Sequence, residues 1–301
     1  MKKAVVLAAG KGSRMKSDSF KVLHEVGGRP MISGLLDTLS KQGFEQIVVV
    51  LAPDMKAVEQ VVSPYETAIQ EKPLGTAHAV LAAEDKIGSF DGACYILFGD
   101  QPLYTADTFE RMQAEYDKGR DIVVVGFEPD DPARYGRLIV DDNGLEAIVE
   151  FKDATWAQRA IGLCNSGIMC VNGMRLFDLL KQIKNENAAH EYYLTDIIRL
   201  AKENGLDVGY IVVHQKEASG VNSRADLAIA ERIFQERMRQ KLLAEGVTLM
   251  DPETTYFSFD TQIENDVIIE PCVFIGPGVQ IKKGARIPAF SRLEKQTVEG
   301  K

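Results

Sequence analysis

The run Leu7-Ala8-Ala9-Gly10-Lys11-Gly12-Ser13-Arg14-Met15 closes the apolar stretch 4–7, and Lys21 follows it. Glycines let a backbone turn tightly with its N–H groups toward a ligand, and Arg14 and Lys21 add positive charge, so the loop suits phosphates. It is not a dinucleotide-binding fingerprint. Met15 stands where the third glycine belongs, and the next strand-end acid, Asp54, comes too late. Nor does it end in the Gly-Lys-Ser/Thr of a P-loop. A second feature follows the apolar run 94–98, where Gly99-Asp100-Gln101-Pro102-Leu103 puts a carboxylate at the mouth of a strand. Mg²⁺ keeps several waters and takes one or two protein oxygens beside substrate phosphates, which suits Asp100. The same aspartate equally reads as a turn residue capping the next helix.

Bulk properties limit the partners. A net charge of −9 over 301 residues argues against nucleic-acid binding, which needs clustered Lys and Arg. Charged residues at 26% and hydrophobic ones at 45% describe an ordinary globular chain large enough for one large and one smaller domain. The first apolar run is too short for a signal peptide, and no stretch is long enough to span a bilayer, so neither secretion nor membrane insertion is expected. Cys94, Cys164, Cys170 and Cys272 form no Cys-x-x-Cys pair and have no histidine at finger spacing. They read as reduced thiols of a cytoplasmic protein.

The elements that must position these residues follow from periodicity. Apolar runs at 4–7, 47–51, 94–98 and 121–127 suit strands covered on both faces, and helical spacing at 29–42 and 76–85 separates them. The pattern predicts an α/β domain, a doubly wound, Rossmann-like and mostly parallel sheet whose ligands sit at the carboxyl ends of the strands. Residues 226–246 predict a charged amphipathic linker helix closed by Gly246. Beyond it Ile263, Ile269, Ile275, Ile281, Ile287 and Leu293 recur every six residues, and the fifth place of each hexad holds Val267, Val273, Val279, Ala285, Ser291 and Thr297. A six-residue period of a large aliphatic and a small residue predicts a short parallel β-helix of about two turns, left-handed as hexapeptide repeats are. The expected division is 1–225, 226–246 and 247–301. So short a solenoid leaves an open end and favours a homo-oligomer through the hexads.

The loop 7–15, Lys21-Val22-Leu23-His24, Leu74-Gly75-Thr76-Ala77-His78-Ala79 and Phe98-Gly99-Asp100 are similar to those of sugar nucleotidyltransferases. Within that family, Tyr135-Gly136-Arg137, residues 148–154, Asn165-Ser166-Gly167, residues 191–196 and Gly220-Val221-Asn222-Ser223-Arg224 resemble the N-acetylglucosamine-1-phosphate uridyltransferases. The similarity runs from the first strand to the hexads in the same order. It implies that Asp100 and Asn222 hold Mg²⁺. It implies that Leu7, Ala8, Ala9, Gly10, Gln70, Gly75 and Thr76 hold the nucleotide, with the Gln70 amide suited to the base edge. Gly136, Glu150 and Asn165 would hold the amino sugar, and Arg14 and Lys21 would act on the phosphates.

The reaction implied is attack of N-acetylglucosamine-1-phosphate on the α-phosphorus of UTP, giving UDP-N-acetylglucosamine and pyrophosphate for cell-wall precursors. Three positions depart from the family pattern. Phe20 replaces the usual Pro before the loop lysine, Pro73 stands where Gln is frequent, and Phe98 replaces a frequent Tyr. Bifunctional members carry a longer β-helix that acetylates glucosamine-1-phosphate, so a chain with about two turns is expected to lack that activity, as a natural short form or a shortened piece. The competing readings are a relative using another sugar-1-phosphate and a non-catalytic nucleotide-sugar sensor.

Overall fold

The structure, a computed structural model, describes residues 1–132, 134–142 and 144–300. It falls into two compact units, one of residues 1–23 and 31–222, the other of residues 24–30 and 223–300.

In the first unit β1 (Lys2–Leu7) is central. In the second, β2 (Glu25–Val26) and β3 (Arg29–Pro30) form a small antiparallel pair. The first unit continues with β4 (Gln46–Leu51), β5 (Glu66–Ile69), β6 (Ala93–Phe98), β7 (Ile122–Phe127), β8 (Arg137–Asp141), β9 (Gly144–Val149), β10 (Cys164–Asn172) and β11 (Val208–Val213). The sheet order is β11-β7-β10-β6-β1-β4-β5, with the β8–β9 hairpin attached through β10. Parallel pairing joins β6, β1, β4 and β5, and also β7 and β11, whereas β10 runs antiparallel between β6 and β7.

The central strands β1, β4, β6 and β7 are buried on both faces over most of their length, which is why they read as apolar runs. Val5, Val48, Val50 and Ile96 face one core with the helix Thr76–Leu81, while Ala4, Val6, Val49 and Leu97 face the other with the helix Met31–Ser40. The predicted helix over 76–85 is two shorter ones, Thr76–Leu81 and Glu84–Ile87, because Ala83 leaves helical geometry at φ −93°, ψ 0°. The antiparallel β10 was not expected. Its sequence, Cys-Asn-Ser-Gly-Ile-Met-Cys-Val-Asn, mixes polar and small residues that weaken the apolar signal.

In the second unit the helix Arg224–Ala244 is N-capped by the Ser223 hydroxyl, which accepts from Asp226 N at 3.2 Å. Gln235 is buried on it. Its Nε2 donates to Phe257 O at 2.8 Å and its Oε1 accepts from Phe257 N at 2.9 Å, tying helix to prism. The prism has three parallel sheets, each of three two-residue strands. They stack Thr248–Leu249, Ile268–Ile269 and Arg286–Ile287 on one face. Tyr256–Phe257, Phe274–Ile275 and Arg292–Leu293 make the second, and Gln262–Ile263, Gln280–Ile281 and Thr297–Val298 the third. Ile269, Ile275, Ile281 and Ile287 fill the interior with Val267, Val273, Val279 and Ala285, as the hexads predict. The prism begins earlier than the regular period, at Thr248, because the first coil departs from six-residue spacing. Thr297 is a correction to the pattern. Val298 pairs with Ile281, so the last step is one residue short and Thr297 sits outward beside Gln280.

No helix among the described residues is long and apolar enough to cross a membrane. Replacing the fully buried Ile275 with Ala should cost about 2–5 kcal/mol of the second unit's stability through the cavity left behind. Calorimetry would read this as a lowered transition, and an unchanged thermogram would show that the prism does not depend on its aliphatic ladder.

Candidate functional site

The carboxyl ends of β1, β4, β6 and β5 open on a cleft of about 650 Å³. Leu7, Ala8, Ala9, Gly10, Gln70, Gly75 and Thr76 line it, with Lys21, Phe98 and Asp100. Backbone bonds fix its floor. Ala8 N donates to Val50 O at 2.9 Å, Gly99 N to Leu7 O at 2.9 Å, and Gln70 N to Leu51 O at 2.8 Å. Adjacent strands therefore hold the Gly-rich loop, the Gly-Asp turn and the glutamine side by side. Gln70 is buried, and its Nε2 donates to Gly75 O at 3.1 Å. Gly75 is needed for two reasons. Its φ is +122°, and a Cβ there would lie 2.5 Å from Tyr192 O. The Thr76 hydroxyl accepts from Leu194 N at 2.9 Å, so this candidate ligand residue already closes the cleft wall.

Asp100 and Asn222, remote in sequence, meet here. Val221 N donates to Asp100 O at 2.9 Å, and the buried Gln101 braces the crossing by donating to Ser166 O at 2.6 Å and Ala218 O at 3.2 Å. Lys21 reaches both groups. Its Nζ donates to Asp100 Oδ2 and, at 3.2 Å, to Asn222 Oδ1. The Lys21 and Asp100 side chains are only 14% and 13% exposed, so their charges are largely withdrawn from water. Gly12 permits the approach. Its φ is +62°, and a Cβ would fall 2.5 Å from Lys21 Cβ. Arg14, by contrast, is exposed on the short 3₁₀ turn Ser13–Met15 and lies outside the cleft lining.

A carboxylate and a carboxamide oxygen gathered round one cation are hard donors that fit Mg²⁺. Among the described residues no group of three or more His, Cys, Asp or Glu could hold a metal, so substrate and water oxygens would complete the shell.

Gly136, Glu150 and Asn165 form a second cluster. Arg137 pairs with Val149 and with Cys164, which sets their neighbours Gly136, Glu150 and Asn165 together. Asn165 N donates to Gly136 O at 2.8 Å, and a Cβ on Gly136 would lie 3.5 Å from Glu150 Oε1. Asn165 Oδ1 accepts from Gly167 N at 3.0 Å within a bulge of β10. Gly167, at φ +96°, leaves room for the Phe98 ring, which a Cβ would approach to 2.9 Å. Phe98, which lines the cleft, thus packs against the bulge that carries Asn165. Glu150 lines a separate cavity of about 690 Å³ with Asp153, Tyr193, Thr195 and Asp196. Burial pushes its carboxyl above the usual range, and the Thr195 hydroxyl, donating to Oε1 at 3.2 Å, opposes the shift in part.

Several of these residues escaped the sequence reading. Gln101 and Thr195 carry no signal of their own beyond lying in the motifs around Gly99-Asp100 and 191–196. Arg137 is fully buried, and its guanidinium donates to the carbonyls of Pro132, Tyr135 and, at 3.2 Å, Arg159. It ties the loops beside Gly136 together, a role that its place in Tyr135-Gly136-Arg137 does not signal.

Because the folded state favours neutral Glu150, its contribution to stability is full below the ordinary carboxylate pKa and is lost as pH rises through the raised value. Glu150→Gln should therefore raise the Tm above that of the parent protein at pH 8, with the gap closing by pH 4. A gap that stays constant with pH would show that Glu150 ionises freely.

With this geometry in hand, the family described as the MobA-like NTP transferase domain matches residues 4–193. The chain is 48% identical over 297 residues to the bifunctional protein GlmU of Paramagnetospirillum magneticum, spanning 98% of this chain and 66% of that one. The GlmU proteins of Gluconobacter oxydans and Rhodospirillum rubrum are 47% and 50% identical, with 97% and 88% of this chain and 65% and 60% of theirs covered. The chain thus spans a little under two thirds of the length of these relatives. A solved structure described as a glucose-1-phosphate thymidylyltransferase from Bacillus anthracis superposes with a TM-score of 0.64 at 20% identity. It covers 78% of this chain and 95% of its own, a likeness of fold.

Proposed function

The chain belongs to the MobA-like NTP transferase family, and on that premise we propose that it transfers a uridylyl group from UTP to N-acetylglucosamine-1-phosphate with Mg²⁺. The products are UDP-N-acetylglucosamine and pyrophosphate, made in the cytoplasm as cell-wall precursor chemistry. The observation that carries the reading is the meeting of Lys21, Asp100 and Asn222 at the lip of the cleft lined by the Gly-rich loop. The likeness to GlmU proteins across nearly the whole chain supports it.

The attacking group is already an anionic phosphate oxygen, so no base is needed to create it. What the protein must do is bring two anions together in line and meet the charge on the phosphoryl oxygens. Asp100 and Asn222 would hold Mg²⁺, which when bound supplies Lewis-acid stabilisation of the phosphoryl oxygens. The Lys21 ammonium would bind the α-phosphoryl or sugar-phosphate oxygens, and Arg14, on the exposed turn, the departing pyrophosphate. Backbone N–H groups of residues 8–10 would orient the nucleotide while Gln70 reads the base edge. Glu150 and Asn165 would accept from and donate to the sugar, with Gly136 leaving room for it. Exposed Phe274 and Phe290 on the prism offer apolar surface for the homo-oligomer, a trimer in this reading.

The test is pyrophosphate release from purified protein across a panel of nucleoside triphosphates and sugar-1-phosphates. UTP with N-acetylglucosamine-1-phosphate should be the preferred pair. Asp100→Ala should lower kcat/KM by at least about 100-fold, since a metal clamp supplies several kcal/mol. Preference for another sugar phosphate would redirect the specificity. Binding of UDP-N-acetylglucosamine without turnover would favour a sensor.

A further inference from the structure

We propose, resting on the nucleotidyl-transfer reading, that Lys21 is a resident counter-ion of the metal position. Its ammonium competes with a divalent cation for Asp100 and Asn222, and a nucleoside triphosphate relieves the competition by drawing the lysine onto its phosphates.

The geometry is specific to these three groups. One ammonium donates to both oxygens that would ligate the metal, and the ion pair is mostly withdrawn from solvent. The lysine is not a loose surface chain that happens to lie there. Its stem passes against Gly12, where a positive φ and a 2.5 Å approach leave no space for any side chain. Its backbone is set on the 3₁₀ turn Lys21–Leu23, anchored by buried Val22 and by Leu23 N donating to Phe20 O at 2.9 Å. The Asn222 carboxamide is carried by the strap that Val221 N fastens to Asp100 O.

Charge decides the order of events. Asp100 and Lys21 together are neutral, so a divalent cation entering first would face a unit positive charge a few ångströms away, beside side chains largely withdrawn from solvent. Like charges so placed repel strongly. A triphosphate reverses the sign of the balance, because it gives the ammonium new oxygen acceptors and brings further ligands for the cation. The exchange moves no proton and breaks no covalent bond. Lys21 therefore has two stations, on the carboxylate in the free protein and on phosphate in the loaded one. Tight metal binding follows the nucleotide.

The test counts Mn²⁺ bound to the full chain by electron paramagnetic resonance, with the metal alone and then with an α,β-methylene analogue of UTP. Without nucleotide, Lys21→Gln and Lys21→Met should each bind Mn²⁺ about tenfold or more tighter than the parent protein, and Lys21→Arg should stay weak. The gain should vanish when Asp100→Asn is added. With the analogue present, the advantage of the Gln and Met variants should close. The proposal is overturned if the parent protein binds Mn²⁺ without nucleotide as tightly as with it. That measurement needs no variant to fold. It is equally overturned if the gain survives Asp100→Asn. Failure of pyrophosphate release with this competition intact would sink the uridylyl-transfer reading and leave the competition standing.

Discussion

One crossing of the chain holds the candidate site together, the strap 218–222 returning over the Gly99-Asp100 turn. Val221 bonds to the Asp100 backbone and Gln101 reaches back to Ala218, and only then can a carboxylate and a carboxamide from distant parts of the sequence face a common cation. Everything upstream serves that meeting. The parallel strands β1 and β6 place the glycine loop and the aspartate at the same height, and β11 beside β7 delivers the chain to the helix Gln215–Ala218 that turns it back.

The two candidate regions obey different physics. Around Lys21 and Asp100 opposite charges are paired, and both side chains are mostly withdrawn from solvent. Around Glu150 a carboxyl is buried near Asp153, Asp196 and Glu191, and burial with like charge disfavours its ionised form. In the proposed reading the end that handles phosphate gains from fixed charge, whereas the end that handles the sugar gains from directional hydrogen bonds among weakly charged groups. Phe98, which lines the first of them, packs on Gly167, and it is apolar where the family pattern frequently has a hydroxyl.

Much of the scaffold was legible because burial imposes a simple pattern on sequence. Strands covered on both faces must be apolar where they are buried, and β1 from Ala4, β4 from Ile47, β6 and β7 are. The hexads were legible because a prism interior admits one aliphatic per face, as Ile269, Ile275 and Ile281 show. Antiparallel β10 was not, since its bulge at Asn165–Met169 breaks periodicity for the sake of the residues it presents. Nor could Thr297 be placed, because a one-residue slip leaves the spacing rule with no local signal. The glycine loop and Asp100 were visible as residue types in a suitable place. Their convergence with Asn222 depends on tertiary bonds from Val221 and Gln101 that no spacing encodes.

The most direct test of the central claim runs the proposed reaction backwards. Purified protein is given UDP-N-acetylglucosamine, labelled pyrophosphate and Mg²⁺, and label in UTP is counted. The expected result is steady appearance of labelled UTP with release of N-acetylglucosamine-1-phosphate, lost on chelation of the metal. UDP-N-acetylglucosamine that binds to the protein but yields no labelled UTP would contradict it.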